Sequence, residues 1–320
     1  MAEEENLFTR HNDRTFWFDY LAWDKLKDVW EDKDLVDNET YKMILETGGE
    51  LVANIIGGNA QRLNTEEYQI IDQNGNVYGN KLSLDQKRLE EFKDGLELRI
   101  KDINAYQIKD NRLVWPDAAT ENYNTLLANG FVNMTVSPAY GGLGLPNILS
   151  LMIGEMSCSK DAGIGTISGL TEGTNTTLEK LASDYIKKKF LIPATDINNK
   201  HTGAMALTES NAGSDLGRVV TKAEFTEENK KDIKEYKING EKIFITNGGA
   251  DLTLVLARDA DTWEEHKGTT KGLSLYLVPK ELDGKDNNIK VTNLEHKLGI
   301  HSSPTCTVLY EDSIGYRIGD

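Results

Sequence analysis

The stretch ALTESNAGSD, residues 206–215, follows the apolar run GAMAL and sets Thr208, Glu209, Ser210, Asn211, Ser214 and Asp215 around one glycine, Gly213. GAMAL reads as a short strand. Gly213 lets the chain beyond it bend sharply or approach another group closely. Ser214 and the neighbouring backbone N–H groups then offer an anion site of the kind that holds a pyrophosphate. Thr208, near the strand end, offers a hydroxyl to a flat heterocycle. Taken alone, the same residues serve equally as a polar β-turn, because single motifs discriminate weakly.

A second stretch lies some 30 residues on. KIFITNGG, residues 242–249, reads as a strand with Phe244 and Thr246 on one face, since side chains two apart point the same way. A ring beside a hydroxyl can wall a flavin, and can equally be a core Phe beside a solvated Thr. Both stretches belong to a part of the chain where the hydrophobic period shortens. After His201, segments 219–225, 236–245, 252–258, 273–278, 289–294 and 305–310 are short and rich in β-branched and aromatic residues. Asn239-Gly240 is a hairpin signal. These six strands predict a small antiparallel barrel or sandwich.

Upstream, helical spacing dominates. Helices are predicted over 34–56, stopped at Gly57-Gly58, and over 84–107, 117–130, 148–158 and 174–190. A polar excursion between the first two suggests a short hairpin on Asn74-Gly75. The expected fold class is α+β, an all-α N-terminal part followed by an antiparallel β-domain. The division is 1–80 as an extension with a helix, 81–202 as a helical domain and 203–320 as the β-domain.

The formal net charge of −16 argues against a nucleic-acid partner, which needs a basic surface. Two cysteines, Cys158 and Cys306, and a start without a basic-then-apolar layout favour the cytoplasm. No apolar run reaches the roughly 20 residues of a membrane span. His296 and His301 lack further ligands at metal-binding spacing, so no metal is expected. No G-x-S-x-G elbow occurs. The run Lys187-Lys188-Lys189 fits a solvated helix C-terminus. The stripe Ile148, Leu149, Met152 and Met156 suits core packing more than the border of a ligand pocket.

In order, Ala206-Leu207-Thr208-Glu209-Ser210-Asn211-Ala212-Gly213-Ser214-Asp215 and Lys242-Ile243-Phe244-Ile245-Thr246-Asn247-Gly248 resemble the paired signature of the acyl-CoA dehydrogenase middle domain. Two further segments extend the likeness. Ser137 to Pro146 (SPAYGGLGLP) resembles the family's bend before a helix, and Glu295 to Cys306 (EHKLGIHSSPTC) resembles the segment that closes its β-domain. The latter form, with the aromatic FTRHNDRTFWF near the start, is most similar to the long bacterial subgroup that includes the methylmercaptopropionyl-CoA dehydrogenases. The resemblance runs from about residue 80 to 320.

The resemblance implies FAD chemistry. Met205, Leu207 and Thr208 would line the isoalloxazine, and Gly213 and Ser214 would lie near the pyrophosphate. Ser214 would also meet the substrate's CoA arm, while Phe244, Ile245 and Thr246 would pack on the flavin's other side. The implied reaction is α,β-dehydrogenation of an acyl-CoA, a Glu taking the α-proton while the β-hydrogen leaves as hydride to the flavin. Electron-transfer flavoprotein, or a similar acceptor, would take the electrons. Ser210 replaces a frequent Pro, Arg218 a small residue and Phe244 a frequent Trp. The family's second helical domain, which carries the catalytic Glu and most of the oligomer interface, is not represented in the sequence, so no catalytic residue is assigned and Glu209 is expected to bond locally. A homo-oligomer at full length, or a separately encoded C-terminal half, would supply the rest. Other readings are a non-enzymatic flavin-binding or scaffold module, and a relative that oxidises nitroalkanes or reduces oxygen.

Overall fold

In a computed structural model of the chain, which describes residues 6–10, 38–63, 68–71, 77–78, 99–102, 105–228 and 233–319, the helices of the first half meet through their apolar faces. Helix α1 (Asn38–Leu51) presents Tyr41 and Leu45, and α2 (Asp117–Ala128) presents Tyr123 and Leu126. Helix α3 (Asn147–Lys160) adds Leu149, Ile153 and Met156, and α4 (Ala162–Leu181) adds Ile164 and Ile167. Spacings of three and four put each set on one face, and the sets form one buried cluster. Gly48 sets how near α1 comes to α3, since a Cβ there would stand 2.2 Å from Ile153 Cδ1. Between α2 and α3 the glycine bend forms as expected. Gly141 (φ 90°) and Gly144 (φ 63°) adopt left-handed angles, and the Gly144 N–H bonds the Val136 carbonyl at 2.8 Å.

Three helix expectations need correction. The first helix does not stop at Gly57-Gly58. It runs through a π-turn, Val52–Ile56, into Gly57–Leu63, with Gly57 at right-handed helical angles (φ −63°, ψ −38°). Within the predicted 84–107 helix, Arg99–Asp102 is strand β3 instead, and most of that segment lies outside the described residues. Leu96, Leu98 and Ile100 alternate at period two, and pairing with β1 (Tyr68–Ile71) decides between the two periods. Beside β1 lies β2 (Val77–Tyr78), antiparallel as the hairpin expectation required, although its Asn74-Gly75 turn lies outside the described residues. The predicted 174–190 helix is two pieces. Helix α4 starts earlier, at Ala162, and ends where Ala182 turns extended, and Ser183 then caps Asp184–Ile186. The first part is therefore not all-α. It also holds hairpin β4 (Gln107–Lys109) and β5 (Arg112–Val114), which packs Ile108 and Leu113 on the barrel core.

The second half is one seven-stranded sheet: β6 (Gly203–Ala206), β7 (Lys222–Glu228), β8 (Lys234–Thr246), β9 (Leu252–Asp259), β10 (Leu273–Pro279), β13 (Ile289–Leu294) and β14 (Thr305–Ile318). The ribbon β11 (Glu281–Leu282) and β12 (Lys285–Asp286) projects from it. The order β10-β14-β8-β7-β9-β6, with β9 also paired to β10, curls the sheet into a barrel. It is mixed, correcting the antiparallel expectation, because both β6 and β7 run parallel to β9. Strand β9 is buried on both sides. Leu252 and Leu254 face a cluster with Leu178 and Phe190, and Val255 and Ala257 face the barrel core. Two buried faces explain its continuous apolar run.

Asn239-Gly240 is not a hairpin turn. It sits inside the 13-residue β8, opposite a register shift between Tyr310 and Ser313 of β14. Asn239 exchanges two 2.9 Å hydrogen bonds with Asp312, and a Cβ at Gly240 would come 2.4 Å from Thr221 Oγ1. The dipeptide serves a bulge and a close approach.

The halves lock at Asp161, the N-cap of α4. Its Oδ1 accepts from the Gly163 and Ile164 N–H groups, each at 3.1 Å, and from the Ser302 hydroxyl, while Oδ2 accepts from Asn122 Nδ2 at 3.1 Å. Tyr106 donates to the Ser302 carbonyl at 2.8 Å.

Candidate functional site

Strand β6 delivers the chain to Leu207 and Thr208, and β8 takes up both carbonyls. Lys242 Nζ donates to the Leu207 carbonyl and the Ile243 N–H to the Thr208 carbonyl, each at 2.9 Å. This seam joins the two stretches that the sequence singles out. Glu209 then turns inward, 5% exposed. It accepts from Lys242 Nζ (2.7 Å), Thr221 Oγ1 (2.6 Å), the Thr221 N–H (3.0 Å) and the Val220 N–H (2.7 Å). Lys242 is itself wholly buried.

Burial alone would raise the Glu209 carboxyl. The Lys242 ammonium, the Thr221 hydroxyl and the Val220 N–H outweigh it and hold the group below the usual range. Burial pulls the Lys242 ammonium down, against the attraction of Glu209. A buried carboxylate held by four donors stays ionised and is a weak acceptor for a substrate proton. Its work is to pinch the loop it begins. Glu209 and Ala212 exchange backbone bonds at 2.9 and 3.1 Å, and Asp215 accepts from the Gly217 N–H at 3.2 Å and Arg218 Nε at 3.0 Å. Arg218 thus ties the loop's exit to its own acid. Between these ties Asn211, Gly213 and Ser214 are exposed, and a Cβ at Gly213 would meet nothing within 4 Å.

Met205 is 39% exposed while Ala204 and Ala206 are buried on the other side of β6. Leu207, Thr208 and Thr246 are half-buried. Phe244 is 59% exposed with a left-handed φ of 58°. Ile243 and Phe244 oppose the single Thr307, between the pairs Cys306 with Ile245 and Val308 with Lys242. That bulge aims the ring out of the barrel. Ile245 goes the other way into the barrel core, so only its backbone reaches the side of Phe244 and Thr246. Leu207 and Thr208 are thus brought beside Ile243, whereas Gly213 and Ser214 stand apart on the loop.

Sequence reading left Lys242, Thr221, Asn247 and Arg258 without roles. Lys242 sits at an inward position of an alternating strand, one signal that was available. Asn247 is buried at φ 55°, donates from Nδ2 to the Gly203 carbonyl at 3.4 Å, and leaves Oδ1 without a partner among the described residues. The stripe of α3 is core: Leu149 and Met156 are fully buried, with Ile148 and Met152 packed against them. The opposite face of α3 and α4 opens a groove of about 710 Å³, lined by Ser150, Leu151, Gly154, Glu172, Gly173 and Thr176. Cys158 is an exposed free thiol and Cys306 a buried one, which burial pushes up to about 11. His296 and His301 are exposed. Among the described residues no three His, Cys, Asp or Glu side chains cluster as a metal site would need, and no helix is long and apolar enough to cross a membrane.

The sequence model described as "Acyl-CoA dehydrogenase, middle domain" matches residues 204–313, and that described as "Acyl-CoA dehydrogenase, N-terminal domain" matches 97–197. The chain belongs to the acyl-CoA dehydrogenase family. It is 34% identical over 232 residues to the 3-methylmercaptopropionyl-CoA dehydrogenase of Ruegeria pomeroyi, covering 69% of this chain and 38% of that one. Butyryl-CoA dehydrogenase from Megasphaera elsdenii superposes with a TM-score of 0.53 at 26% identity, over 62% of this chain and 50% of that one. The fold also matches a Bacillus anthracis acyl-CoA dehydrogenase complexed with FAD, with a TM-score of 0.59 at 22% identity, over 92% of this chain and 40% of that one. The chain therefore spans half or less of the length of these acyl-CoA dehydrogenases.

Proposed function

We propose that the chain is the flavin-seating part of an FAD-dependent acyl-CoA dehydrogenase that introduces an α,β double bond into an acyl-CoA thioester. The seam between Leu207-Thr208 and Lys242-Ile243 carries this reading, because it sets the ends of β6 and β8 side by side and leaves Met205 and Phe244 facing outward. The local structure fits the cofactor. Gly213 has open space where a side chain would stand, a strained aromatic is exposed next to Thr246, and the buried Asn247 has an acceptor without a partner among the described residues.

Met205, Leu207 and Thr208 would hold one side of the ring system. Phe244, Thr246 and the Ile245 backbone would hold the other, and Gly213 and Ser214 the diphosphate, with Ser214 also toward the CoA arm. FAD, when bound, supplies the acceptor for the two electrons that leave with the β-hydrogen. The chain's own residues orient and shield. Glu209 is a poor α-proton acceptor, because it is buried, held below the usual carboxylate range and committed to Lys242, Thr221 and Val220. No described residue is assigned the role of the base. Electron-transfer flavoprotein is the acceptor suited to a reduced flavin, and assembly with further copies or a separate helical half would complete the site.

Titrating the purified chain with FAD tests the reading. Uptake with a perturbed visible flavin band, weakened by Thr208→Val, is expected, and absence of uptake would overturn it. Adding an acyl-CoA to the loaded chain is expected to leave that band intact, whereas bleaching would place the base within this chain.

A further inference from the structure

We propose that Arg258 is a positioning residue for the 210–219 loop. It lies at the end of β9 and is 1% exposed. Among the described residues no carboxylate pairs with it. Instead, its guanidinium spends all five N–H groups on backbone carbonyls. Nε donates to Val219 (3.4 Å), Nη1 to His266 (3.1 Å) and Lys271 (2.6 Å), and Nη2 to Gly217 (3.1 Å) and Thr269 (2.8 Å). Five donors in a rigid plane suit this task, and the three of a lysine do not.

Two of those carbonyls belong to the exit of the candidate ligand loop and three to the 266–271 turn, so Arg258 stitches one to the other. The two backbones touch, because a Cβ on Gly217 would stand 3.0 Å from the Gly268 carbonyl oxygen. The peptide unit between Val219 and Val220 shows how the exit is set. Its C=O accepts from Arg258 and its N–H donates to Glu209, so a buried cation and a buried anion grip it from opposite ends. The next residue repeats the arrangement. The Thr221 N–H goes to Glu209, and the Thr221 carbonyl accepts from the backbone N–H of Arg258 at 2.8 Å. Glu209 thus closes the loop through N–H groups and Arg258 through carbonyls, leaving Gly213 and Ser214 on a loop fixed at its base.

The effect on cofactor uptake rests on the FAD reading above, while the effect on the loop does not. Arg258→Lys keeps the charge and loses the fork, and Arg258→Met loses both. Segment-resolved amide hydrogen exchange of the full chain is expected to show protection at 217–221 and 266–271 falling about tenfold or more in both variants, with β14 unchanged. FAD affinity is expected to fall about tenfold in Arg258→Lys and further in Arg258→Met, each charged hydrogen bond being worth about that factor. Should either variant fail to fold, Gly217→Ala is expected to loosen the same two segments, since its methyl pushes on Gly268. Wild-type exchange and affinity in Arg258→Lys would overturn the proposal, reducing Arg258 to a charge. Exchange rising alike along the whole chain would also overturn it, reducing Arg258 to a core element. If the wild-type chain takes up no FAD, the cofactor reading fails and the exchange pattern alone decides the role of Arg258.

Discussion

Two carboxylates, Asp161 and Glu209, are buried to a similar degree, 3% and 5% exposed, yet each is kept in a different way. Asp161 takes two backbone N–H groups at the N-terminus of α4, one hydroxyl and one amide. Its donors are all neutral, and the helix end supplies the positive potential. Glu209 has no helix end and is held by a wholly buried ammonium with three neutral donors. The first arrangement joins two halves of the molecule and tolerates modest change. The second stabilises a loop that must stay open on its outer side, and it depends on one residue from a distant strand.

Removing that residue should produce the largest effect. Lys242→Met leaves Glu209 buried and unpaired, with an expected loss of about 3–5 kcal/mol in urea unfolding. Adding Glu209→Gln to it should recover most of the loss, and no recovery would mean that the two groups are not coupled. The same clamp sets an acid limb. Glu209 is held below its unfolded value near 4.5, so its contribution is complete above that pH and fades as the pH drops through the lower folded value. The stability gap between wild type and Glu209→Gln should therefore close only in that acid window, and a gap independent of pH would contradict the ion pair. Asp161→Asn keeps an acceptor for the cap while weakening its charged bonds, and should cost about 1–3 kcal/mol. A loss as large as that of Lys242→Met would erase the distinction drawn above. Phe244→Asn should move stability least, within about 1 kcal/mol, because Asn tolerates the left-handed angle. It should still weaken FAD uptake, and unaltered uptake would remove Phe244 from the site.

Much of this was readable in one dimension. The two motif stretches, the bend at Gly141 to Gly144, helices α2 and α3 and most strand positions follow from spacing and turn chemistry, which act over a few residues. The failures share a cause. Asn239-Gly240 is chemically a good turn, but Thr221 and Asp312, close only in the fold, make it a bulge. Gly57-Gly58 is a good cap, but the helix runs on through it and buries Asn59 and Ala60 beyond. The resemblance puts Ile245 beside the flavin, and the bulge opposite Thr307 sends its side chain into the core, leaving its backbone on that side. The cap at Asp161 is local, but its ties to Asn122 and Ser302, like those of Arg258 to Gly217 and Val219, join residues far apart in the chain.

The linear order of residues determined the family and the helix-then-strand layout. Those properties depend on side-chain period and on short motifs. Only the tertiary structure decided that β6 and β7 run parallel to β9, that Glu209 is locked by Lys242, and that Arg258 ties two loops together. Each of these places groups many residues apart within hydrogen-bond reach in a low-dielectric interior, where an unpaired charge costs too much to leave unanswered.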